Sequence, residues 1–303
     1  MFALLGLIWG SSFLWIKVGL GNGGAPVFGL PMPDGAGFPP LLLVTMRLTI
    51  GALGLVALMV ARRQSFPREP RVLAASALVG LLNTALPFAL ITWGETRIPS
   101  GLASILNGTV PLFAIVIAHF VLADEPFTLV RLAGLVAGFV GVVVIVGGGI
   151  AGPGGVWGAL AVLAAALSYA VAAAYSRRVL RGQAPLVQSS TTVSFAAIFL
   201  AVAVLIWERP VHWASAPVAW VAVIWLGLLG SCVAYLLYFS LINAWGATRA
   251  TVVTYVFPVV GLLLGIGVLG EPLDWRLVVG TVLIVGGIVV VNGASLRKAL
   301  VKA

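Results

Sequence analysis

The sequence predicts an all-α membrane protein: ten transmembrane helices in two inverted five-helix repeats, with both termini cytoplasmic. Three observations point there. First, the 303 residues are 61% hydrophobic and only 8% charged, where a soluble domain carries about a quarter charged residues. Second, apolar runs of the roughly 20 residues needed to cross a bilayer recur along the whole chain. Third, the two halves of the chain repeat each other in sequence.

The apolar runs must be helices. Backbone polar groups facing lipid have to be satisfied within the protein, which leaves α-helices or a closed barrel. Barrel strands alternate apolar and polar residues over about ten positions, and these runs are continuously apolar and about twice as long. They fall near 3–20, 39–60, 72–94, 98–121, 128–148, 155–177, 185–207, 217–242, 248–269 and 273–293. Two connections are longer, the Gly/Pro-rich stretch 21–38 and the basic stretch 62–71. The first run lacks a basic leading region and Lys17 interrupts its end, so it is expected to be an uncleaved helix. The spans leave no room for a soluble catalytic domain, and the chain is not expected to be an enzyme.

Orientation follows from charge. With the N-terminus inside, the inner segments hold Arg62, Arg63, Arg68, Arg71, Arg131, Arg177, Arg178, Arg181, Arg249, Arg297, Lys298 and Lys302. The outer ones hold Arg97, Arg209 and Arg276, and Lys17 and Arg47 lie within spans. The positive-inside rule therefore puts both termini in the cytoplasm. The net charge of +9 is scattered over short connections, which argues against a nucleic-acid partner. Cys232 is the one cysteine, so no intrachain disulfide forms. The two histidines, His119 and His212, are isolated and no phosphate-cradling loop is present, so no metal and no cofactor is expected.

The repeat is read from two registers. A shift of 147 carries Pro111 to Pro258, Ala103 to Ala250, Ser104 to Thr251, Asn107 to Thr254 and Gly80-Leu81-Leu82 to Gly227-Leu228-Leu229. A shift of 146 carries Glu125-Pro126 to Glu271-Pro272, Gly134 to Gly280 and Gly141 to Gly287. The two units are 1–150 and 151–303. Five helices is an odd number, so the second unit is expected upside down relative to the first. Inverted repeats of this kind characterise secondary transporters, with the substrate near the midplane between the copies.

Trp9-Gly10-Ser11-Ser12-Phe13, Arg47, Pro111, Glu125-Pro126, the glycine-rich fifth span and their second-half copies resemble the EamA family of the drug/metabolite transporter superfamily. Essentially the whole chain takes part in the resemblance. It implies a multi-pass protein of the bacterial inner membrane that exports small metabolites by alternating access. Bacterial amino-acid exporters, including the aromatic amino-acid type, are the subgroup it most resembles. The implied partners are an amino acid or similar small molecule and the lipid bilayer. A broad drug and metabolite exporter is the runner-up, and a non-transporting receptor or assembly subunit is the reading from another class.

Candidate site residues come from the prolines and the aromatics. Pro87, Pro111 and Pro258 fall inside spans, and a proline leaves the carbonyl four residues earlier without its helical partner. Those carbonyls belong to Asn83, Asn107 and Thr254. With Ser104 and Thr251 they predict two polar faces, on spans 4 and 9, turned toward a central cavity, and they make the prolines gating kinks. Repair of their own kinks is the plainer use of these side chains. Trp9, Ser12, Ser168, Tyr169, Tyr235, Tyr238 and Tyr255 place aromatic and hydroxyl groups within spans, where rings bind apolar side chains and attract ammonium groups. A membrane-interface belt is the alternative for such rings. Lys17 is expected to snorkel outward, and Arg47 to make a structural contact. The eight carboxylates all fall in or next to connections. That argues against a carboxylate-based proton antiporter and for facilitated diffusion. The glycines Gly134, Gly138, Gly141, Gly280, Gly286 and Gly287 fit close internal packing, favoured here, or a homodimer seam.

Overall fold

A computed structural model describes residues 1–30, 32–121, 128–147, 154–180, 182–245 and 251–301; Glu125-Pro126 lies outside them. Among the described residues, eight helical stretches are long and apolar enough to cross a membrane, and Val253–Leu269 and Trp275–Val291 are shorter apolar helices. The helices are α1 (Phe2–Gly19), α2 (Pro40–Ala61), α3 (Pro70–Glu95), α4 (Ser100–Asn107, resuming as Val110–Val121), α5 (Leu129–Val146), α6 (Gly155–Val179) and α7 (Pro185–Trp207). Pro217–Gly227, Leu228–Val233 and Ala234–Trp245 together make α8, Thr251–Val256 with Phe257–Leu269 makes α9, and Trp275–Val301 is α10. The buried share of each long span lies between 28% and 56%, and its exposed face is apolar: Leu129, Val136 and Val143 on α5, and Val278, Val282 and Val289 on α10, are turned outward. A helix apolar on both its packed and its exposed faces needs lipid around it.

The packed pairs have definite directions. On α1, Gly6 and Gly10 meet Val256 and Val260 of α9, so these two helices run the same way. Ile50 and Gly54 of α2 meet Gly227 and Cys232 of α8, again in parallel. Trp9 and Trp15 of α1 meet Gly230 and Trp225 of α8, which is antiparallel. Leu41 and Leu55 of α2 meet Glu208 at the end of α7 and Ser190 within it, also antiparallel. Odd-numbered helices thus run one way and even-numbered ones the other in each pair.

Gly134 and Gly141 of α5 pack against Gly287 and Gly280 of α10 inside the chain, while Gly138 meets Leu112 and Gly286, expected in the same packing, faces open space. A β-carbon on Gly134 would stand 2.6 Å from the carbonyl oxygen of Gly287, and one on Gly141 would stand 2.7 Å from that of Gly280. Backbones approach this closely only where no side chain intervenes.

The three prolines do not sit inside continuous α-helices. Each is the second residue of a fresh α segment: Pro87 in Leu86–Glu95, Pro111 in Val110–Val121 and Pro258 in Phe257–Leu269. The first turn of a helix has N–H groups without partners anyway, so proline fits there. What precedes differs. Pro87 follows a π-helical turn, Leu81–Ala85, Pro111 follows a break at 108–109, and Pro258 follows a 3₁₀ turn, Thr251–Val256. A second π turn, Leu228–Val233, sits at the repeat-related place in α8. There the next residue is Ala234, so proline is not what makes it.

Candidate functional site

Both π turns are bonded from the other half of the chain. Ser168 Oγ on α6 donates to the carbonyl of Leu82 at 2.6 Å, and Trp9 Nε1 on α1 donates to the carbonyl of Gly230 at 3.1 Å. A π turn shifts the backbone ladder and leaves carbonyls for other donors. Each half therefore supplies a side chain that satisfies the irregular turn of the other.

Around Trp9 the rings form a wall. Tyr238 lies 5.3 Å away, Phe257 5.9 Å and Tyr235 6.1 Å, centroid to centroid, the last two edge-on. Such geometry suits the positive edge and negative face of aromatic rings. Trp9, Tyr235 and Tyr238, each a candidate site residue from sequence, come together here, and Phe257 joins them from α9.

Arg47 is the buried charge beside this wall, with 5% of its surface exposed. Its Nε donates to Ser231 Oγ at 3.2 Å, and its guanidinium carbon lies 4.3 Å from the centre of the Phe88 ring. Tyr169, Tyr235 and Glu95 lie within its electrostatic reach. Arg47 thus links α2 to α3 of its own half and to the π turn of α8. Ser12, on α1, donates to its own helix at Ile8, 3.2 Å away.

The remaining predicted residues are placed differently. The N-terminal half of α4 packs directly on α9, with no space between: the Ser104 side chain presses on Gly261, and its hydroxyl donates to Gly101 at 2.7 Å. Asn107 ends that half of α4, and its buried Oδ1 makes no hydrogen bond among the described residues. Asn83 is half-buried in the π turn of α3, and Thr254 and Tyr255 are half-buried in the 3₁₀ turn of α9. Thr251 opens the same turn; its side chain lies outside the described part.

Two charged residues near span ends have definite settings. Lys17, half-buried, bonds to the chain itself. Its Nζ donates to the carbonyls of Glu95 at 2.6 Å and Ile98 at 3.1 Å, because the end of α3 leaves carbonyls without helical partners. Glu95, read as a connection residue, is wholly buried, and neither carboxylate oxygen has a partner among the described residues. Nearby, the Glu271 carboxylate accepts the backbone N–H of Ser100 at 2.6 Å and of Gly101 at 2.9 Å. It caps α4 from the other half, where an anion complements the helix dipole. Ser231, Gly230, Phe88 and Phe257 were missed by sequence reasoning. The repeated Gly-Leu-Leu was the signal for the π turn that carries Gly230 and Ser231.

The EamA-like transporter family model matches residues 1–147 and 156–293. An uncharacterised inner membrane transporter, YedA of Escherichia coli K12, is 29% identical over 275 residues, 90% of this chain and 83% of its own. The uncharacterised transporter YoaV of Bacillus subtilis is 28% identical over 286 residues, covering 93% and 92%. A probable terminal-alkyne amino-acid exporter of Streptantibioticus cattleyicolor is 29% identical over 296 residues, covering 96% and 91%. A solved crystal structure superimposes with a TM-score of 0.64 at 25% identity, over 98% of both chains.

Proposed function

Because the chain belongs to the EamA-like transporter family and is a multi-pass membrane transporter, we propose that it exports amino acids by alternating access. The moving parts are two inverted five-helix repeats, residues 1–150 and 151–303. Both termini are cytoplasmic by the positive-inside rule, and the membrane is a bacterial inner membrane, the one named for the YedA relative.

The reciprocal contact of α5 and α10 carries this reading. Gly134 touches Gly287, the copy of Gly141, while Gly141 touches Gly280, the copy of Gly134. Exchange of copies across an antiparallel contact is what a two-fold axis in the membrane plane produces. The alternating directions of the packed helices support ten crossings, with α9 and α10 as the last two.

Under the positive-inside orientation, Glu95, Ser100, Gly265 and Glu271 lie at the outer end. Direct packing of α4 on α9 there closes the outer side. The breaks before Pro111 and Pro258 lie deeper and let the outer and inner halves of these helices move separately. The aromatic wall at Trp9 gives an apolar side chain a surface, and Asn107, Thr254 and Arg47 supply polarity. A molecule with apolar and polar parts and little net charge suits that lining. The amino-acid class also draws support from the Streptantibioticus cattleyicolor exporter.

The test is transport by the purified chain in liposomes loaded with a panel of labelled amino acids. Efflux or counterflow of at least one of them is expected. Flux of drug-like amphiphiles but of no amino acid would favour the broad exporter, and no flux of anything would favour a receptor or assembly subunit.

A further inference from the structure

Resting on the amino-acid reading of this site, we infer that Arg47, with Ser12 and in the space left by the missing side chain of Gly230, holds the substrate by its carboxylate. A guanidinium has five N–H donors, and among the described residues only the Nε of Arg47 is used, on Ser231. Its Nη1 and Nη2 make no hydrogen bond among the described residues. A buried arginine is costly unless its donors find acceptors. Phe88 covers one face of the guanidinium and accepts no conventional hydrogen bond. The planar fork matches a carboxylate in a two-point contact.

Gly230 marks the space for that contact. A β-carbon there would lie 3.4 Å from Ser12 Oγ, 3.5 Å from Arg47 Nη2 and 3.7 Å from the Trp225 ring. These are ordinary contacts, so a methyl group would fit without strain and would occupy the spot between Ser12 and Nη2. The Ser12 hydroxyl can turn from Ile8 to donate to a bound oxygen. Tyr235 and Tyr238 follow that π turn on α8 and Trp9 stands on α1, bonded to the turn at Gly230, so a ligand held at Nη2 lays its apolar part on the aromatic wall.

Glu95 is the alternative partner for Arg47, but it lies two helical turns beyond Phe88 on α3, about 10 Å along the axis. An α-amino acid holds its ammonium and carboxylate much closer together than that. The site therefore reads the carboxylate, while the ammonium meets the electron-rich ring faces.

The experiment measures binding to the purified full chain with three probes: L-phenylalanine, 3-phenylpropanoate, which lacks the amine, and phenethylamine, which lacks the carboxylate. The two carboxylates are expected to bind in the same range and phenethylamine at least about tenfold more weakly, since a charge-assisted pair is lost. Gly230→Ala should weaken both carboxylates with an unchanged melting temperature, and Arg47→Gln should do so more strongly. Phenethylamine binding as tightly as phenylalanine, or wild-type carboxylate binding by folded Gly230→Ala, overturns the inference. So does a wild-type chain that binds neither carboxylate. Binding of 3-phenylpropanoate without phenylalanine upholds it and removes the amino-acid reading instead. If Arg47→Gln does not fold, Gly230→Ala and the probe series still decide.

Discussion

Gly108 and Pro258 face each other so closely that a β-carbon on Gly108 would stand 2.7 Å from the Pro258 ring. The break of α4 thus rests on the restart of α9. The second neighbour of that β-carbon is the Ile105 carbonyl oxygen at 2.9 Å, so neither side yields easily. Gly108→Ala should cost about 1–3 kcal/mol, as overpacked cores do, and should slow flux more than binding. Thermal melting in detergent and counterflow in liposomes check both parts. Unchanged melting and flux would remove this contact from the gate.

Glu271 ties Ser100 and Gly101 to the opposite half. Glu271→Ala should destabilise the outer closure by about 0.5–2 kcal/mol, the usual worth of an N-terminal cap. A cysteine at Leu262, which lies against Gly101, should then react faster with an impermeant thiol reagent, with Cys232 replaced. An unaltered labelling rate would show that the cap does not hold the closed state.

Asn107 has a buried oxygen with no hydrogen-bond partner among the described residues, which separates structure from function. Asn107→Ala removes an unsatisfied group, so it should leave stability equal or higher. Loss of a polar partner for the substrate should weaken binding by about 1–3 kcal/mol. Thr254→Val, at the repeat-related position, is expected to weaken binding also. Wild-type affinity in both folded variants would take these residues out of the site.

Orientation has a direct check. With Cys232 replaced, cysteines at Arg63 and Arg178 should be shielded from an impermeant reagent in intact cells, and one at Asp34 should label. The opposite pattern would reverse the inner and outer assignment.

Gly134→Leu and Gly287→Leu should each destabilise the monomer, because both glycines pack within one chain. A homodimer seam would instead give stable monomers from a dimeric parent, read by size-exclusion chromatography with light scattering.

The membrane class, the helical runs and the family resemblance were legible from sequence. Each depends on composition, periodicity or local spacing, and the bilayer's demand for satisfied backbone groups leaves few alternatives. The repeated Gly-Leu-Leu and the proline positions marked where the backbone is irregular. They did not reveal the irregularity itself, because a π turn and a 3₁₀ turn differ by which carbonyl each backbone N–H reaches, and the carbonyls that the π turns leave over are met by distant side chains, Ser168 and Trp9. Lys17 and Glu95 stand near span ends in the sequence, but only packing decides that Glu95 is wholly buried and that the Lys17 ammonium bonds to carbonyls at the end of α3. Arg47 was placed in its span by sequence, but its setting between Phe88 and Ser231 needed three helices to meet. The chain's own pattern determines that helices form and in what order. Only tertiary packing decides which polar atoms are left without partners, since each one's satisfaction depends on residues far away in sequence.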